Sequence, residues 1–269
     1  MKKVFFLAGV LALTTVLPVL VSPQSGGGAG RQVLKVGATP VPHAELLNLI
    51  KSDLAAQGID LRVVEFTDYV TPNLSLAAGD LDANFFQHTP YLELFAAERN
   101  LNLVSAFGVH IEPLGLYSRS LKNIGELRRG ASIAIPNDPT NRGRALLLLQ
   151  ANGLITLSAS AGIEGTPADI ISNPRNLRFR ELEAAQLPRA LGDVDAAVIN
   201  GNYALDAGLN PVNDSLILEG AQSPYVNIVA VKAGNENDPR IRALAAALCS
   251  QKVKNYILAA YNGGVVPAF

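Results

Sequence analysis

Apolar positions along this chain come in short bursts separated by amphipathic stretches, and the two alternate. Val33 to Gly37 reads as a first strand. A turn over Ala38 to His43 leads to a helix over Ala44 to Gln57, stopped by Gly58. Leu61 to Phe66 alternates as a second strand. Asp68 to Asn73 opens a helix ending at Gly79, Leu81 to Phe86 is a short strand, and Thr89 to Asn100 is a helix. Leu101 to Phe107 and Leu114 to Tyr117 are strand-like. Strands alternating with helices predict an α/β fold with a mainly parallel sheet.

The pattern then restarts. Ser132 to Ile135, Asn176 to Glu181, Ala196 to Ile199 and Val226 to Val231 read as strands. Helices are expected over Arg142 to Ala151, Glu183 to Leu191 and Asn202 to Gly208, with a long helical region from Pro239 to Leu258. Two α/β units in series predict two lobes. The first spans 31–117 and takes back the tail 225–269; the second spans 118–224. Residues 1–30 read differently: Lys2 and Lys3, an apolar run broken by Pro18, then a Ser/Gly stretch. That is the pattern of an export signal and flexible spacer.

Composition narrows the function. At 49% hydrophobic and 17% charged, the 269-residue chain is globular, and its net charge of −1 supplies no basic field for nucleic acid. Its one cysteine, Cys249, lies in an alanine-rich run and reads as a small buried apolar residue. No phosphate loop, dinucleotide fingerprint or Gly-x-Ser-x-Gly elbow occurs. His43, His88 and His110 are scattered, without companion cysteines, so no metal and no cofactor are expected.

The segment Asn137-Asp-Pro-Thr-Asn-Arg-Gly-Arg144 carries the most chemistry. It joins a β-branched strand to a leucine-rich helix, and Asp138 to Asn141 supply turn and N-cap residues. Free backbone N–H groups at a helix start attract anions. Arg144 beside them suits a small carboxylate gripped in bidentate fashion. Local sequence fits a surface arginine beside an ordinary capped turn equally well. The segment gains weight from similar clusters elsewhere: Asn84 to His88 with Tyr91, Asn200 to Tyr203, Ser223 to Asn227, and Asp68 with Tyr69. In open α/β sheets, ligands bind beyond the carboxyl ends of strands. Uncharged amides with one arginine match a zwitterion such as an amino acid, and aromatics match an apolar side chain. Phe85 and Phe86, being adjacent on a strand, face opposite ways.

Long motifs carry a resemblance: Gly37 to His43, Asp68 to Asn73, Asp82 to His88, Ile135 to Asn141, Glu183 to Arg189, Ala197 to Asn202 and Val265 to Phe269. In these the chain resembles the methionine-binding lipoproteins of bacterial ABC importers, the NlpA family. The resemblance implies a two-lobed periplasmic-binding-protein fold with its ligand cleft between the lobes, closed by hinge motion. It implies a monomer that captures L-methionine and hands it to a membrane permease, with no catalysis. Carried over by position, Arg144 would hold the carboxylate, and Asn141, Asn202 and Asn227 the carboxylate or ammonium. Tyr69, Phe86, His88 and Tyr91 would wall the thioether pocket. The second lobe would then hold the amino-acid backbone and the first would choose the side chain.

Members of that family are lipid-anchored through a cysteine after the signal, and no cysteine precedes Cys249 here. The expectation is an exported protein, periplasmic or cell-surface, either released or held by its apolar leader. Two alternatives stand beside L-methionine. One keeps the fold but takes D-methionine, a methionine dipeptide or another small apolar amino acid. The other is a hydrolase using His88 as general base, for which no orienting acid or oxyanion motif is present.

Overall fold

The computed structural model describes residues 1, 2, 4, 32–220 and 223–269. The chain divides into Met1–Gly30 and Arg31–Phe269, and among the described residues the larger unit holds every helix and strand. The expected leader and spacer lie outside the described residues save for their first few positions. Among the described residues, no helix is long and apolar enough to cross a membrane.

The larger unit begins with β1 (Gln32–Ala38), a kinked turn at Pro40–Ala44, α1 (Glu45–Leu49) and α2 (Lys51–Ala56). It continues through β2 (Ile59–Glu65), α3 (Thr71–Ala78), β3 (Ala83–His88), α4 (Thr89–Arg99) and β4 (Leu103–Ile111). A second series comes next: β5 (Gly115–Tyr117), β6 (Ser132–Pro136), α5 (Pro139–Ala151), β7 (Thr156–Leu157), β8 (Ile170–Ser172), β9 (Arg178–Leu182), α6 (Leu187–Ala190), β10 (Ala196–Ile199), α7 (Gly201–Asp206), α8 (Pro211–Asp214) and β11 (Ser215–Leu218). The chain closes with β12 (Val226–Lys232), α9 (Pro239–Leu248), α10 (Gln251–Tyr261) and β13 (Val266–Pro267).

These strands form two main sheets, ordered β13-β4-β12-β3-β1-β2 and β11-β5-β10-β6-β9. β4 of the first sheet is followed by β5 of the second, and β11 of the second by β12 of the first. The expectation of mainly parallel sheets needs correction. In the first sheet β1 pairs in parallel with β2 and β3, while β12 runs antiparallel to β3 and β4. In the second, β6 is parallel to β9 and β10, and β5 is antiparallel to β10 and β11. The reversals sit at the strands that lead into and out of the crossings, where the chain must change direction. Gly115–Tyr117, placed by the sequence reading at the end of the first lobe, pairs in the second sheet.

Each lobe has its own apolar core. Leu34, Val36, Phe85 and Val229 pack under α2 and α9 in the first. Ile133, Ile135, Leu146 and Val198 fill the second. The long C-terminal helix expected over Pro239 to Leu258 is two helices, because Ser250 caps the second by accepting from the Val253 N–H. Cys249 sits at this break, half-buried, its thiol on the Gly108 carbonyl. Gly79 ends α3 in the left-handed conformation, φ 90°, as its place after the helix predicts.

Candidate functional site

The strand-to-helix turn of the second lobe is built as its residues dictate. Pro139 opens α5, and Asp138 caps it by accepting from the Asn141 N–H at 2.9 Å. Asn141 also donates through Nδ2 to both Asp138 oxygens. This fixes the amide Oδ1, which accepts from Asn200 Nδ2 of the same lobe at 2.8 Å and meets His88 Nε2 of the other lobe at 3.2 Å. His88 ends β3 and caps α4, its Nδ1 accepting from the Tyr91 N–H. The proton therefore sits on Nε2. Burial first, then the Arg144 guanidinium, push the ring down to about 3, so it is neutral.

A narrow chamber lies between the lobes. All eight sequence-predicted residues line it: Tyr69, Phe86, His88, Tyr91, Asn141, Arg144, Asn202 and Asn227. Phe86 faces this chamber while Phe85, one residue earlier, is fully buried in the first core, as strand alternation requires. Tyr69, Phe86 and Tyr91 meet with ring centroids 5.8 to 6.2 Å apart and form one apolar wall. Behind Phe86, Asn73, Asn84 and Gln87 exchange amide hydrogen bonds of 2.8 to 2.9 Å and stiffen the strand. Three contacts latch the lobes together: Tyr69 Oη donates to Asn202 Oδ1 at 2.6 Å, Tyr203 Oη to the Thr67 carbonyl at 3.0 Å, and His88 meets Asn141.

The opposite end of the chamber is polar and charged. Arg144 lies in the second turn of α5 and is 4% exposed. It donates to both Glu219 oxygens, and its Nη2 also reaches the Glu112 carbonyl at 2.8 Å. Its guanidinium lies 4.2 Å over the Tyr225 ring. Glu219 in turn takes the Leu114 N–H at 3.3 Å, while its own N–H donates to the Leu114 carbonyl. The two passages between the lobes are thus joined at the arginine. Among the described residues, Arg144 Nη1 keeps no protein partner.

Further residues line the chamber. Gln87, Asn200 and Gly201 lie within the clusters read from the sequence but had no binding role assigned. The most consequential is Glu112, a 5% exposed carboxylate at the first crossing. Its Oε1 lies 2.7 Å from His110 Nε2 and 3.2 Å from His43 Nε2. The two histidines, read as scattered, converge on one carboxylate, and together the three could offer ligand atoms to a cation. The shorter of the two is a direct N–H···O bond. His43 Nδ1 is 2.8 Å from Thr39 Oγ1, and its Nε2 is shared with Asn227 Oδ1 at 3.1 Å. Burial pushes His43 down to about 4 and His110 to about 3, so both rings are neutral. Burial raises Glu112, against the histidine, backbone N–H and arginine around it. One signal was available: His110 and Glu112 are the two polar side chains in the otherwise apolar stretch from Val109 to Leu116. Asn200 Oδ1 is buried with no donor.

The geometry describes an enclosed receptor with an aromatic end, an arginine and a carboxylate. The NlpA lipoprotein family model matches residues 34–269. The chain is 43% identical over 211 residues to the D-methionine-binding lipoprotein MetQ of Escherichia coli K12, covering 78% of each. Its fold matches the crystal structure of a nutrient binding protein from Burkholderia cenocepacia bound to methionine, with TM-score 0.85 and 46% identity over 88% of this chain and 100% of that one. It also matches an ABC transporter periplasmic substrate-binding protein from Coxiella burnetii, with TM-score 0.84 and 44% identity over 87% and 100%.

Proposed function

The chain belongs to the NlpA lipoprotein family, and from that membership we propose that it is an extracytoplasmic solute-binding protein that captures methionine between its lobes and delivers it to an ABC importer. The observation that carries this reading is the pairing, in one chamber, of a zwitterion receptor with an aromatic wall. Arg144 Nη1 and the amides of Asn202 and Asn227 take the ligand carboxylate. The Glu112 carboxylate and Asn200 Oδ1 accept from its ammonium. Tyr69, Phe86, His88 and Tyr91 enclose the thioether, a polarizable group that packs well on aromatic rings. The polar end therefore draws on both lobes and a crossing, since Asn227 lies on β12 of the first sheet. The lobes divide at 112–114 and at 219–225, and the protein works as a monomer. It is exported by its leader, which either leaves or anchors it.

Binding without turnover is the reading supported by His88, whose ring is held by Tyr91 and Asn141. The test is calorimetry of the purified chain with L-methionine, D-methionine, a methionine dipeptide, leucine and norleucine. Tight binding of a methionine enantiomer, with a melting temperature that climbs with its concentration, is the expected result. Failure of both enantiomers to bind would overturn the reading. The name of the Escherichia coli relative makes the D-enantiomer the second ligand to try.

A further inference from the structure

We propose that His43 and His110 are positioning residues, which hold the Glu112 carboxylate in place as the receptor for a ligand ammonium group. The inference rests on the amino-acid reading of the chamber and extends it to residues behind the chamber wall.

A buried carboxylate can be held in more than one way. A lysine or arginine in direct contact would fix it, but would also cancel its charge. Here the carboxylate itself meets neutral donors. His110 Nε2 hydrogen-bonds Oε1 at 2.7 Å, and His43 Nε2 lies 3.2 Å from the same oxygen. The tautomers are dictated locally. His110 Nδ1 is buried with no partner, so a proton placed there would be an unsatisfied buried N–H. The single proton of that ring is thus on Nε2, donated to Glu112. His43 Nδ1 faces the Thr39 hydroxyl, leaving Nε2–H for Asn227 Oδ1, with Glu112 Oε1 3.2 Å away. The nearest full positive charge, Arg144, touches only the peptide carbonyl of Glu112 and is paired with Glu219. The pocket therefore has a fixed anion whose charge is not cancelled at short range, facing a chamber that must accept a zwitterion. An incoming ammonium completes the site.

The backbone protects the arrangement. Gly201 packs so closely that a Cβ there would come within 2.8 Å of Glu112 Cβ. His43 and His110 are both fully buried, 5.0 Å apart by ring centroid, each edge-on to Phe85. The rings cannot swing away without opening the first core.

The test compares two ligands on three forms of the full chain. L-methionine (or its enantiomer if that binds) carries the ammonium; 4-(methylthio)butanoic acid has the same carboxylate and thioether without it. The forms are wild type, His110→Phe, which removes the donor at similar size, and His110→Gln, which restores an N–H at a matching reach. Calorimetry on His110→Phe is expected to show methionine affinity reduced about tenfold or more, with the desamino acid changed by less than about threefold. His110→Gln is expected to recover most of the loss. The desamino affinity reports folding of each variant directly. Equal losses for both ligands in His110→Phe, or methionine affinity unchanged, would overturn the inference while leaving the functional reading intact. A wild-type chain that binds neither methionine enantiomer overturns the functional reading and the inference with it.

Discussion

Tyr69 of the first lobe donates its hydroxyl to Asn202 Oδ1 of the second at 2.6 Å, directly above the chamber. The same tyrosine is wall and latch: its ring packs against Phe86 and Tyr91, and its carbonyl accepts from Tyr91 Oη. Burial, then the charges and Tyr203 around it, raise its hydroxyl well above the usual phenol range, so it stays a donor at any physiological pH. Tyr69→Phe keeps the wall and removes the latch. Methionine affinity should fall by about 1 kcal/mol, mostly through faster release, because one net hydrogen bond is lost and Asn202 Oδ1 is left dry. Stopped-flow release rates check it; an unchanged rate would refute the latch.

Arg144→Ala should cost about 3–5 kcal/mol of methionine binding, since a buried ion loses its partner on two sides. Glu219 is then left uncompensated. The double variant Arg144→Ala with Glu219→Gln should recover folding stability but not binding. Calorimetry and urea unfolding on the same samples separate the two effects, and retained affinity in either variant would sink the role given to Arg144.

The three buried histidines set an acid limit on the ligand-free protein. Their pKa values fall from 6.5 in an ordinary setting to about 4 for His43 and about 3 for His88 and His110. Between those values the unfolded chain binds protons that the folded chain refuses. Stability is therefore full above pH 6.5 and drains as pH falls toward 4, by about 1.4 kcal/mol per pH unit for each histidine. Glu112 and Asp138, raised by burial, run the other way and offset part of the slope. Urea midpoints at pH 7.5, 6, 5 and 4.5 should decline steadily, and His88→Gln should flatten the decline. A midpoint independent of pH over that range would contradict the neutral, buried assignment.

Gly143 on α5 lies under the short turn Gly162–Glu164, and a Cβ there would come within 2.1 Å of the Ile163 carbonyl oxygen. Backbone cannot yield as a side-chain tip can. Gly143→Ala should therefore destabilise by about 3 kcal/mol through overpacking, despite alanine's better helix propensity. Chemical denaturation would show it, and a stabilised variant would mean that the turn is free to move.

How much of the molecule was legible in its sequence depended on range. The Asp138 cap, the Phe85 and Phe86 alternation and the Gly79 stop are local, and each was readable from a few neighbours. The long motifs around Asn84 to His88 and Asn137 to Asn141 carried the two-lobed architecture through their family resemblance. What stayed hidden was convergence across distance. His43 meets Asn227 from 184 positions away, and Glu219 reaches Arg144 across 75. No periodicity reports such a contact. Glu112 was overlooked for a different reason: a single carboxylate before a proline looks like surface chemistry until burial shows that it has nowhere to be solvated. The mixed strand directions were missed because alternation of strand and helix says nothing of where a chain leaves one lobe for the other.

The Glu219 carboxylate holds two partners at once: it steadies the arginine that would grip cargo, and it ties its own segment to that of Leu114, the two on which the proposed lobes would pivot. Grip and swing would consequently be a single mechanical variable. A change at this carboxylate that loosens the hold on cargo must also slacken the pivot, so retention time and opening rate cannot be adjusted independently here. Any refinement of one without the other has to come from the Tyr69 side of the cleft, where the lobes meet but do not hinge.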